Sequence, residues 1–159
     1  MRKLRATWQS GVYIITLCML SGCIHFMPSS ITITLPISRH ARVEYGIDLH
    51  AALQQEISSL VAPFGSLETT IIAVTPRDTL VGAAGISYAV DMSMTVDAVY
   101  TAGGTVKWQQ RIIGNTRCYK PFAQQEYEHA FAHARQELCY DVARQIRVNL
   151  QAVASKRSK

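Results

Sequence analysis

The 159-residue chain has no apolar run long enough to cross a bilayer as a helix, which takes about 20 residues. It also lacks a glycine-rich phosphate loop, a nucleophile-elbow pentapeptide and any pair of Cys-x-x-Cys knuckles. Those absences argue against P-loop nucleotide hydrolysis, α/β-hydrolase chemistry and zinc-ribbon folds. No nucleophile, base and orienting group can be matched along the chain. A non-catalytic protein without a cofactor is therefore expected.

Cysteine is scarce, with four in all. Cys118 and Cys139 flank the start of a predicted helix. If that helix begins near Pro121, Cys139 lies about 27 Å along it at 1.5 Å per residue, whereas the three residues leading back to Cys118 reach only about 10 Å. A disulfide needs Cα atoms within roughly 7 Å, so the two thiols should not pair with each other. Cys118 stands near Arg117 and Lys120, which could activate it, but no histidine is close in sequence and an incidental cysteine is expected. Histidine offers little more. His129 and His133 lie one helical turn apart beside Glu126 and Glu137, but the residues between the histidines are Ala130, Phe131 and Ala132, without the glutamate of a His-Glu-x-x-His site. The spacing is that of any solvated helix face, so no metal is expected. Met92 and Met94 sit in an apolar strand register and read as core.

The N-terminus is more specific. Arg2, Lys3 and Arg5 precede a short apolar stretch from Val12 to Leu20, the pattern of a secretory signal. It closes on Leu20-Ser21-Gly22-Cys23, which resembles the lipobox of bacterial lipoproteins. That resemblance implies cleavage before Cys23, lipidation of its thiol and a firm hold through multiple acyl chains. Ile24 follows, rather than the aspartate that retains many lipoproteins at the inner membrane, which favours the outer membrane. Residues 1–22 would be the signal peptide, 23–152 a single domain and 153–159 a basic tail, expected to be a disordered end. Three of the 16 Lys and Arg leave with residues 1–22, so 13 cations against 11 carboxylates give +2, and no nucleic-acid partner is implied.

Ile31, Ile33, Leu35 and Ile37 alternate with polar residues and Pro36, predicting a first strand with one buried face. Ser38 to Gly46 reads as a polar loop. Asp48 can cap a helix carrying Leu49, Leu53, Ile57 and Leu60, stopped by Pro63 and Gly65. Leu67 to Thr75 is β-prone and ends at the turn signal Pro76-Arg77-Asp78. From Ile86 to Tyr100 every even position but Ala98 is large and apolar, and the odd positions are mostly small or polar, predicting a strand far longer than usual. Gly103-Gly104 supplies a tight turn, and Val106 to Arg111 returns as a hairpin whose polar side, with Asp91, Asp97, Lys107 and Arg111, faces outward. Gly114 to Pro121 reads as irregular. Phe122 to Ala152 is a long helix with the stripe Tyr127, Phe131, Ala134, Leu138, Val142, Ile146 and Leu150. The expected architecture is α+β: a four-stranded, mostly antiparallel sheet with two helices packed on one face.

This order, with the lipobox, Leu35-Pro36, the Tyr88–Tyr100 strand, the Val106-Lys107-Trp108-Gln109 stretch and the helix bearing Asp141-Val-Ala-Arg-Gln-Ile146, resembles the LptE family of lipopolysaccharide-assembly lipoproteins. The resemblance implies a lipid-anchored protein on the periplasmic side of the outer membrane, which plugs and helps assemble the LptD-like β-barrel that translocates lipopolysaccharide and contacts lipopolysaccharide itself. Lipid A phosphates call for Lys or Arg, and the candidates are Arg77, Lys107, Arg111, Arg117 and Lys120. The connection after Arg77, Val81-Gly82-Ala83-Ala84-Gly85, carries no cation. The alternative is a lipoprotein cofactor of another envelope machine, a cell-wall synthase or a lipid transporter. Only Ile24 to Ser30 separate Cys23 from the first strand, a tether too short to reach far and one that favours a partner at the membrane.

Overall fold

In the computed structural model, residues 31–38, 41–58, 60, 65–81, 87–121 and 123–155 are described. The predicted leader, Cys23, Pro63 and residues 156–159 of the tail lie outside them.

The long alternating strand organises the molecule. It runs from Ser87 to Ala102 (β4), with the even positions from Val90 to Ala102 buried and the odd positions from Asp91 to Thr101 partly exposed. Tyr88, expected on the buried face, is exposed. At Gly103 and Gly104, φ is 59° and 71°, the pair of left-handed residues that a two-residue hairpin turn requires and that glycine adopts without strain. The chain returns as β5, Thr105–Tyr119, antiparallel to β4. β5 therefore continues through the segment read as irregular. It does so because Gly114 lets the last helix cross it closely: a Cβ at Gly114 would stand 2.5 Å from Val142 Cγ2 and 3.3 Å from the Leu138 carbonyl oxygen.

β3, Gly65–Val81, pairs antiparallel with the other side of β4. It too overruns its predicted end, passing through Pro76-Arg77-Asp78. Beyond Ile71 its far edge has no neighbour among the described residues, and a proline's missing donor is tolerated on such an edge. The single first strand is instead two pieces, β1 (Ile31–Ile33) and β2 (Ile37–Ser38), both parallel to β3. Pro36, which has no N–H to donate, is buried between them. The sheet thus has five strands, three long and antiparallel and two short and parallel, rather than four.

Two helices cover the even face, as the α+β pattern requires. α1, Val43–Ile57, starts earlier than Asp48; its N-cap is Arg42, which makes no side-chain cap, and Asp48 lies inside the helix. Asp48 instead accepts a hydrogen bond from Arg135 Nε at 2.6 Å, tying α1 to the last helix. α2, Gln124–Ser155, runs on past the predicted boundary at Ala152. At 1.5 Å per residue it is about 48 Å long, against about 53 Å for β4 at 3.3 Å, so one helix spans the hairpin. Leu49, Leu53 and Ile57 of α1 and Leu138, Val142, Ile146 and Leu150 of α2 close on Leu67, Ile71, Met92, Met94 and Val96. Glu56 with Arg147 and Gln55 with Tyr140 make further links between the helices. No helix among the described residues is long and apolar enough to cross a membrane.

Candidate functional site

The odd face of the hairpin is covered by no described helix, and its side chains are set by strand register. On β4 it presents Asp91, Ser93, Thr95, Asp97, Val99 and Thr101. Two cross-strand rows carry its ion pairs. In one, Asp91 faces Arg77 on β3 and Arg117 on β5, and both Nε and Nη2 of Arg117 donate to its two carboxylate oxygens. That bidentate bond holds the Asp91 carboxyl below the usual carboxylate range; burial opposes the shift, and the charge of Arg77 contributes to it. In the other, Arg111 donates Nε and Nη2 to Asp97 at 2.7 and 2.8 Å, which raises the pKa of the guanidinium. The rows are six residues apart along β4, about 20 Å at 3.3 Å per residue. Beside the first row lies an open depression of about 540 Å³ lined by Thr75, Arg77, Asp91, Ser93, Asn115 and Arg117, among others.

The five candidate cations thus differ in state. Arg111 and Arg117 are neutralised in the plane of the sheet. Lys120 donates to Asp78 at 2.8 Å, and Asp78 faces the buried Val90 in the even register, so this pair belongs to the helix-side face. The hydrogen bond to Asp78 raises the Lys120 pKa. Arg77 and Lys107 make no ion pair among the described residues. Lys107 is the extra residue of a bulge: Thr101 faces Val106 but Tyr100 faces Trp108. The fold brings Arg77 and Arg117 together across Asp91 and leaves Lys107 about ten strand positions away, roughly 33 Å, so no single headgroup can bridge them.

Sequence patterning missed the carboxylates that pair with these cations. The signal was present in Asp91 and Asp97 on one face and Arg111 and Arg117 at the same spacing on the return strand, but the pairing depends on the bulge. Were Lys107 paired in the ladder instead of bulged, Asp97 would face Gln110 and Asp91 would face Thr116.

Glu126, His129, His133 and Glu137 are exposed on α2, and no cluster of three or more metal-ligating side chains occurs among the described residues. Cys118 and Cys139 are buried and unbridged. Burial pushes the Cys118 thiol up despite Lys120. It pushes Cys139 up to about 12, with Asp48 adding and Arg135 opposing. Neither is poised as a thiolate at neutral pH.

No protein-family model matches the chain, and no curated protein does. Its fold is shared with solved structures. A Caulobacter crescentus protein assigned to the lipoproteins superposes with a TM-score of 0.59 at 13% identity, over 81% of this chain and 93% of that one. Rare lipoprotein B of Shewanella oneidensis superposes with a TM-score of 0.52, also at 13% identity, over 80% and 97%. At such identities the likeness is one of fold.

Proposed function

We propose that this chain is a lipid-anchored envelope protein that acts by docking rather than by catalysis. In this reading Cys23 carries the acyl chains and the uncovered sheet face meets the lumen wall of an LptD-like outer-membrane barrel that translocates lipopolysaccharide. The observation that carries the proposal is the odd face itself. It is a sheet surface about 50 Å long, rich in hydroxyl, amide and carboxylate groups, with its arginines largely neutralised in place. Such a face has hydrogen-bonding groups to offer along its length without a strong field of one sign, which suits the polar interior of a barrel. The lipobox and the lipoprotein fold neighbours support the same reading. Lipopolysaccharide contact is the finer part, and Arg77 is its principal group, because it lies at the depression and makes no ion pair among the described residues.

The test is affinity purification of the tagged, lipidated protein from detergent-solubilised outer membranes, with co-purifying proteins identified by mass spectrometry. One large barrel in about equal amount is the expected result. Recovery of a cell-wall synthase or a transport subunit in its place overturns the barrel assignment in favour of a cofactor of that machine.

A further inference from the structure

Nine large apolar side chains are well exposed among the described residues, and four of them fall within thirteen consecutive positions: Leu35 (63%), Ile37 (64%), Val43 (74%) and Ile47 (57%). They bracket one contact. Leu35 and Ile37 flank the buried Pro36 at the sheet edge, and Val43 and Ile47, one turn apart on α1, flank Gly46, whose Cβ position lies 3.4 Å from the Pro36 carbonyl oxygen. Folding leaves this cluster exposed, and the helix turn that carries it is stripped of a polar cap. Beside it, Arg42 is exposed, makes no ion pair among the described residues, and borders a groove of about 310 Å³ with the half-buried Tyr127 and Phe131, Arg135 and the exposed Glu128. Apolar side chains next to aromatic rings and an arginine are the composition of a membrane–water interface, where the guanidinium reaches phosphates and the rings lie at headgroup level.

The occupant follows from the tether. Ile31, the first residue of β1, is eight positions after Cys23, a reach of about 27 Å when fully extended. If Cys23 is acylated, as the proposed function holds, the edge carrying these four side chains is confined close to the leaflet that holds the acyl chains. Tethering makes docking there effectively intramolecular, so even a small patch stays engaged. We infer that Leu35, Ile37, Val43 and Ile47, with Arg42 at phosphate level, form a seat on the phospholipid surface. Ile37, whose partner Thr70 faces Asp97, lies at the border of the open sheet face, and the charged rows of β4 and β5 then remain free for the protein partner.

The test uses the full lipidated chain in phosphatidylethanolamine–phosphatidylglycerol vesicles containing brominated acyl chains. The variant is Val43→Trp in a Trp108→Phe background, with Ile47→Trp as the second variant should the first misfold. Trp8 is removed with the leader. Flotation and mass spectrometry of the N-terminal peptide report the anchor separately. Co-flotation with strong quenching of the introduced tryptophan, several-fold above that of Ile113→Trp on the sheet face, supports the seat. Co-flotation without that quenching overturns the seat and leaves the anchor standing, and self-association of the unquenched protein in sedimentation would assign the patch to a second copy. A chain that neither floats nor carries lipid overturns the anchor and the seat with it.

Discussion

Thr69 lies on the helix-covered face of β3 between Leu67 and Ile71, 2% exposed, and its hydroxyl has no hydrogen-bond partner among the described residues. A buried, unsatisfied hydroxyl costs about 1–3 kcal/mol. Thr69→Val keeps the shape and removes the polar atom, so it should stabilise the fold by about 1 kcal/mol; a fall in urea midpoint at unchanged slope would contradict this. Cys139 makes a pH-dependent contribution. Its folded-state pKa is raised, so its stabilising effect is fully present below the ordinary thiol value of 9.0 and is lost as pH climbs toward about 12. Stability should therefore decline across that window. Cys139→Ala, though less stable overall because of the cavity it leaves, should show a shallower decline in denaturant titrations at stepped pH.

At the scale of elements, Lys107 has the widest reach. As the extra residue of the β4–β5 ladder, it sets which residues face one another beyond Tyr100. Deleting it would only close the bulge and keep those pairs, whereas inserting one alanine after Gln109 should slip the rest of the return strand by one, part Arg111 from Asp97 and Arg117 from Asp91, and turn Ile112 and Cys118 out of the core, because strand side chains alternate with period two. Loss of a cooperative thermal transition is the expected outcome, while Lys107→Ala, which keeps the bulge, should unfold as the parent does. The same dependence marks what the sequence discloses. β4, the Gly103-Gly104 turn, the stripe of α2 and the order of elements follow from periodicities of two and 3.6 that one buried face imposes. The continuation of β3 past Pro76 and of β5 past Gly114 does not, because proline and glycine signal breaks locally and are accommodated here by an open edge and a crossing helix. The early start of α1 was hidden likewise: Asp48 resembles a cap in sequence and is a partner for Arg135, 87 residues away. The candidate cations were legible as residue types, but three of their states were not, since Asp78, Asp91 and Asp97 reach them only through tertiary register.

For the whole molecule, the two faces of the sheet divide the work between an apolar side that takes both helices and a polar side left open. In the proposed role, Arg77→Ser should weaken retention on immobilised lipid A more than Arg111→Ser, because Arg77 faces an Asp91 already bound to Arg117 and makes no ion pair among the described residues, whereas Arg111 is bound to Asp97. Equal losses would show that the depression has no special part in binding. Among the described residues, a sheet this long also leaves three open borders. β1 and β2 are short and divided by Pro36, β3 beyond Ile71 carries a register shift and Pro76, and β5 is bulged at the exposed Lys107. Each border carries one of the features that discourage a foreign strand from zipping alongside. In the proposed role, which takes the chain across an aqueous compartment to its partner, these borders let it travel without seeding fibrils on the way.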